Sequence, residues 1–185
     1  MRLIQCSINQ HFRMSKTNKK IPIEVVKNFP PSLLLKLINR AKQYLKQDEV
    51  MQKICEEYGI PIDYIDHIPT MFSDLDVSAK TVKGVIYLNY KLLCDGDFFK
   101  DYGYLIHEYC HWAQQTTGNG PTKGSDEGEY LDNKYEVESF QNQVEWMAKE
   151  FGENEAEHYV DNLLEHHELD EEEAEDKKDE LMTLV

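Results

Sequence analysis

His107, Glu108 and His111 fall in the pattern His-Glu-x-x-His, within the stretch His107-Glu108-Tyr109-Cys110-His111. Two histidines four positions apart project from the same side of a helix, one turn from each other. Neutral imidazoles placed this way can share a divalent metal such as zinc. Zinc so held keeps a position for water, and a glutamate beside the first histidine is placed to take that water's proton. The types and spacing therefore predict a metal site capable of hydrolysis, without indicating a substrate.

The surrounding residues supply the helix that this spacing needs. Phe98, Tyr102, Leu105, Ile106, Tyr109 and Ala113 recur as one apolar stripe from Phe98 onward. At about 100° per residue that stripe lies nearly opposite His107 and His111. The predicted helix has an apolar back and a chemical front, and it should stop near Gly118. Cys110 points between the two faces and reads as a small buried hydrophobe rather than a fourth ligand. Ahead of the helix, Val82 to Asn89 is the best strand in the sequence, rich in β-branched and aromatic residues. Asp95-Gly96-Asp97 makes the turn between them.

A catalytic zinc usually has three protein ligands. Asp132 or Asn133 could cap a helix whose stripe is Phe140, Val144, Met147 and Phe151. Glu136 lies at the edge of that stripe, with no basic residue three or four places away. A carboxylate near a core needs a cation, and a metal would supply one. Glu136 is therefore the candidate third ligand, with Asp132 one turn earlier as the runner-up. The other reading of Glu136 is a first-turn acid favoured by the helix dipole. Glu138 points to the far side and reads as solvated.

The motif and the strand before it resemble the zincin metallopeptidases. The metzincin branch requires Gly and His at offsets occupied here by Gln114 and Thr117, so it is rejected. Glu136-Val137-Glu138-Ser139 resembles the Glu-x-x-Ser/Ala element of the gluzincin branch. The chain departs from the fuller pattern, with Tyr135 for the preceding Asn and Phe140 for the following Asp. That Asp normally orients a ligand histidine, so the groups behind the ligands must differ here. The resemblance covers roughly residues 80 to 150 and extends in layout to the minigluzincins and small phage or prokaryotic metallopeptidases. It implies an α+β, zincin-like fold, mostly helical, with a small mixed sheet preceding the motif helix. It implies Zn2+ on His107, His111 and Glu136, with Glu108 as general base in peptide-bond hydrolysis. It also implies an edge strand bordering the cleft, to which substrate backbone adds; Val82 to Asn89 would be that edge, or equally an ordinary core strand. His158, Tyr130 and Tyr159 are candidates to hydrogen-bond an oxyanion, although packing and surface roles are commoner for such residues.

The remaining sequence divides into a loosely ordered segment over 1–22, the zincin-like domain over 23–168 and an acidic C-terminal tail over 169–185. Leu3, Ile4 and Ile8 could form a short strand, and His11 to Lys20 reads as a solvated basic segment. Pro30-Pro31-Ser32 starts a helix carrying Leu34, Leu37, Ile38, Ala41 and Leu45, which continues through Val50, Ile54 and Tyr58 to Gly59. Ile62 to Phe72 reads as extended, with His67 structural. Residues 118 to 129 form a glycine-rich loop, either a flap or a slack connector. Glu153 to His167 reads as a last amphipathic helix with Ala156, Tyr159, Val160, Leu163 and Leu164 on one side.

A formal charge of −15 argues against tracking nucleic-acid backbone, and so against a protease acting on DNA-bound protein. Four scattered cysteines with no Cys-x-x-Cys pair suit a reducing compartment. Met1 to Lys20 lacks the apolar core of a signal peptide, and no run is long enough to span a bilayer. The expectation is a cytoplasmic protein, of a prokaryote or a virus-infected host cell. Its partners would be a peptide or protein substrate and, through the acidic tail, a possible docking protein. The alternative function is a regulatory or interaction protein that keeps a zincin shell with little or no peptidase activity.

Overall fold

The computed structural model describes residues 20–118 and 130–185. The expectations for Leu3, Ile4, Ile8, the segment His11 to Lys19 and residues 119–129 fall outside the described residues. The described chain is α+β and mostly helical, and its small mixed sheet precedes the motif helix.

Three helices open the described chain: α1 (Ile23–Lys27), α2 (Pro31–Leu45) and α3 (Glu49–Glu57). The apolar periodicity predicted one long helix through Tyr58, but α2 and α3 are separate. Asp48 breaks the run, because its carboxylate accepts from the backbone N–H groups of Val50 and Met51 at 2.9 and 3.1 Å and so caps a new helix. Residues Ile62–His67 form a 3-10 turn, and only Thr70–Ser73 is a strand (β1), so the extended reading of 62–72 holds for its last part alone.

β2 (Ala79–Val82) and β3 (Val85–Asn89) form a hairpin. The sheet order is β1-β3-β2, with β1 parallel and β2 antiparallel to β3. The predicted strand Val82 to Asn89 is therefore cut by a turn at Lys83-Gly84. Both residues have positive φ, 51° and 74°, the requirement of the two-residue turn that matches strand twist. β3 is the central strand, with Ile86 and Leu88 fully buried, so the core-strand alternative is correct and the edge facing the motif helix is β2.

The motif helix α4 (Tyr102–Thr116) follows a 3-10 turn at Phe98–Asp101. Its apolar stripe is buried as predicted: Leu105, Ile106 and Tyr109 are almost fully enclosed. Each such side chain contributes roughly 1.5–3 kcal/mol of burial. The chemical front is buried too, because α5 (Lys134–Phe151) packs along it. Asn133 caps α5, accepting from the Tyr135 N–H at 3.0 Å. Gly103 lets the two helices approach, since a Cβ there would lie 3.2 Å from Gln143 Cγ.

Gly152, at φ 101°, separates α5 from α6 (Glu153–His166). The acidic run forms a helix, α7 (Glu171–Leu181), which packs on α5 and α6. Its fully buried Leu181 joins Val137, Phe140, Val144, Ala156, Val160 and Leu164 in one apolar cluster. A second cluster holds the sheet, α1–α4 and Trp146 of α5. Among the described residues, no helix is long and apolar enough to cross a membrane.

Candidate metal centre

α4 and α5 bring His107, His111 and Glu136 together at their buried seam. His111 Nε2 lies 3.0 Å from His107 Nε2 and 3.0 Å from Glu136 Oε2, and His107 Nε2 lies 3.3 Å from the same oxygen. The group is close enough to hold a metal ion. Tetrahedral bonds of about 2.0–2.1 Å separate neighbouring ligand atoms by roughly 3.3 Å, so the observed triangle has the right size. The donor set of two imidazole nitrogens and one carboxylate oxygen is one that zinc accepts. Two ring nitrogens and a carboxylate oxygen aimed at one point in a buried seam are an arrangement that a cation would neutralise.

The charges inside the seam are strongly coupled. Burial pushes the Glu136 carboxyl upward, but His107 and His111 outweigh it and hold the group well below the usual carboxylate range. Burial lowers His111, and the Glu136 carboxylate overcomes this to bring the ring up to about 9. Glu108 is buried beside the histidines and is displaced upward, chiefly by burial. Its Oε2 accepts a 2.7 Å hydrogen bond from the Thr81 hydroxyl, which also lies 3.0 Å from the Glu108 carbonyl. Gln115 Nε2 donates to the Thr81 carbonyl at 3.2 Å, and Trp112 Nε1 donates to that of Gly84 at 3.1 Å. The hairpin carrying Thr81 is thus fastened to α4 both along β2 and at the turn.

His107 packs edge-on against Phe140 at 4.5 Å between centroids. His111 is held differently: its Nδ1 lies 2.8 Å from Gln114 Oε1. Gln114 Nε2 donates to the Tyr135 carbonyl at 3.0 Å and to Glu138 Oε2 at 3.2 Å. Glu138 Oε1 accepts from the Tyr58 hydroxyl at 2.6 Å. The solvated reading of Glu138 is therefore wrong, because α3 and α4 both reach its carboxylate. Cys110 is fully buried, as expected of a small apolar filler, and burial pushes its thiol above the ordinary range.

Asp132 is exposed and pairs with Lys177 at 3.0 Å, away from the seam. Of the three oxyanion candidates, Tyr130 is at the site, with its hydroxyl against Glu136; burial and that carboxylate raise it far above the tyrosine range. Tyr159 turns toward Gln143 and Tyr104, and His158 is exposed. Sequence reasoning missed Thr81, Gln114 and Glu138. Gln114 had a signal, since a residue three places after His111 shares its helix face. Thr81 lay one residue outside the predicted strand. Comparison with protein families, curated proteins and solved structures finds no match for this chain.

Proposed function

We propose that this protein is a zinc-dependent metallopeptidase in which His107, His111 and Glu136 hold the metal and Glu108 is the general base. The observation carrying this reading is the convergence of three buried ligand atoms on one point, with a fourth titratable group, Glu108, beside them. When bound, zinc supplies a Lewis acid that polarises a carbonyl and brings the acidity of water toward neutral pH.

The protein residues do the remaining work. Glu108 sits in a low-polarity wall that raises its affinity for a proton, while the Thr81 hydroxyl keeps one carboxylate oxygen fixed. A base so poised can take a proton from water and return it to a departing amine. Glu136 contributes negative charge to the cation site, and the His107 and His111 rings supply neutral donors. The hydroxyl of Tyr130, beside Glu136, is an uncharged donor available to an oxygen that gains charge during the reaction.

Glu108→Gln tests the assignment. The variant is expected to keep stoichiometric zinc and to lose peptide cleavage by roughly 10²–10⁴-fold, the usual worth of a positioned acid–base group. Zinc-loaded protein and a mixed peptide library, read by mass spectrometry for new termini, provide the assay. Full activity in the variant removes Glu108 from the mechanism. A parent protein that binds zinc yet releases no fragments removes the peptidase reading itself.

A further inference from the structure

We infer that Gln114 is the positioning residue for His111: it fixes the ring's proton on Nδ1 and leaves Nε2 as the ligand atom. The inference rests on the metal-site reading above and deepens it.

The orientation of the Gln114 amide sets which nitrogen of His111 carries the hydrogen. Its Nε2 faces the Tyr135 carbonyl and the Glu138 carboxylate. A carbonyl oxygen and a carboxylate only accept, so the NH2 group must be at that end. The Oε1 end then faces His111 Nδ1 at 2.8 Å. An amide oxygen only accepts, so Nδ1 must carry the hydrogen and donate it. A neutral imidazole has one such hydrogen, and the Nε2 lone pair is left facing His107 Nε2 and Glu136 Oε2.

The amide is itself held from behind. Glu138 takes the second 3.2 Å bond from Gln114 and a 2.6 Å bond from the Tyr58 hydroxyl. Ser139 Oγ lies 3.4 Å from His111 Nδ1 and 3.5 Å from Gln114 Nε2, a weaker flank on the same edge. Gln114 is almost fully buried, so water does not compete for these bonds. Tyr58 at the end of α3, Gln114 of α4, and Tyr135 and Glu138 of α5 therefore form one chain of hydrogen bonds, and a ring flip of His111 would forfeit its bond to Gln114 Oε1. Phe140 offers no acceptor and packs on His107 instead, so this duty falls to a residue of α4 itself. Outer groups of this kind typically carry 10- to 100-fold in metal affinity.

Two measurements test the inference. The first is zinc affinity by competition with a chromophoric chelator, for the parent, Gln114→Leu and the double variant Gln114→Glu with Glu138→Gln. In the double variant carboxylate and amide trade places, the acceptor for His111 is retained and the net charge is unchanged. Gln114→Leu is expected to bind zinc roughly 10- to 100-fold more weakly, and the double variant, which sets a carboxylate oxygen against the Tyr135 carbonyl, to recover part of that loss. Leucine binding within twofold of the parent overturns the inference. The second measurement is the nitrogen-15 NMR signature of His111 in the parent, zinc-loaded and also metal-free at alkaline pH, where the ring is neutral. A proton on Nδ1 supports the inference and a proton on Nε2 in the metal-free protein overturns it. A parent that binds no zinc removes the metal reading alone, and the metal-free spectrum still decides the role of Gln114. The same spectrum decides it when Gln114→Leu does not fold.

Discussion

Chelation of the metal should lower the melting temperature of this protein by about 8–16 °C, and the size of that drop follows from the seam. Three ligand atoms from α4 and α5 lie 3.0–3.3 Å apart, on side chains no more than 14% exposed, so the site exists only in the folded chain. A ligand that binds only the folded state adds RT ln(1 + [L]/Kd), about 4 kcal/mol at a free concentration of ~1,000 times Kd. For chains of this size each kcal/mol moves the midpoint by roughly 2–4 °C. The perturbation is a matched pair of calorimetric melts, one with zinc and one with excess chelator, on the parent and on Glu136→Ala and His111→Ala. Breaking the buried imidazole–carboxylate group costs roughly 3–5 kcal/mol by itself, so the variants will start lower even without metal. The informative quantity is therefore the zinc-induced shift within each protein. It should be large in the parent and should nearly vanish in both variants. A parent shift that persists in both variants would place the ion elsewhere, and no parent shift at saturating zinc would refute the reasoning from the triangle.

Two further outcomes are expected. Thr81→Val keeps the side-chain shape but removes the hydroxyl 2.7 Å from Glu108; a hydrogen bond to a charged group is worth about 1.5–3 kcal/mol, so kcat/KM should fall roughly tenfold to a hundredfold with zinc content unchanged. An unchanged rate would show that Glu108 needs no anchor from β2. Asp101, half-buried at the start of α4, has its carboxyl pushed up to about 7, first by burial and then by Asp95 and Asp97 against Lys100. The folded chain therefore binds a proton that the unfolded chain releases near pH 4, so stability falls as pH rises from about 4 to about 7 and stays at the lower value above. Asp101→Asn should match the parent near pH 4 and exceed it at pH 8 by up to about 4 kcal/mol in urea denaturation. Parallel pH curves for the two proteins would contradict this.

Much of the site was visible in residue order because helices impose a fixed spacing. His107 and His111 declare their shared face by a separation of four, and Glu136 declared itself through a missing counter-charge beside an apolar stripe. The apolar back of α4 and the cap at Asn133 follow from the same local rules. What escaped was set by tertiary geometry. Glu138 looked solvated because its own helix gives it no reason to be otherwise; Tyr58 and Gln114 come from other helices to meet it. Thr81 faces Glu108 only because a two-residue turn folds β2 back on β3, and Lys83-Gly84 was read as strand interior although its glycine marked a turn. The division of α2 from α3 carried a signal that the reading passed over: the step of five from Leu45 to Val50 turns the apolar stripe by about 140° at 100° per residue, and Asp48 falls in that gap.

Helix α5 belongs to both apolar clusters. Trp146 plugs the interior shared with the sheet, while Val137, Phe140 and Val144 are roofed by α6 and α7. These residues interleave along one helix with Glu136 and Ser139, so the carboxylate of the site is clamped between two interiors rather than mounted on the rim of one. Truncation before α6 would strip that roof and leave the ligand on a helix wet along one flank. Helices α6 and α7, acidic and without any ligand of their own, are thus the buttress against which the centre is braced.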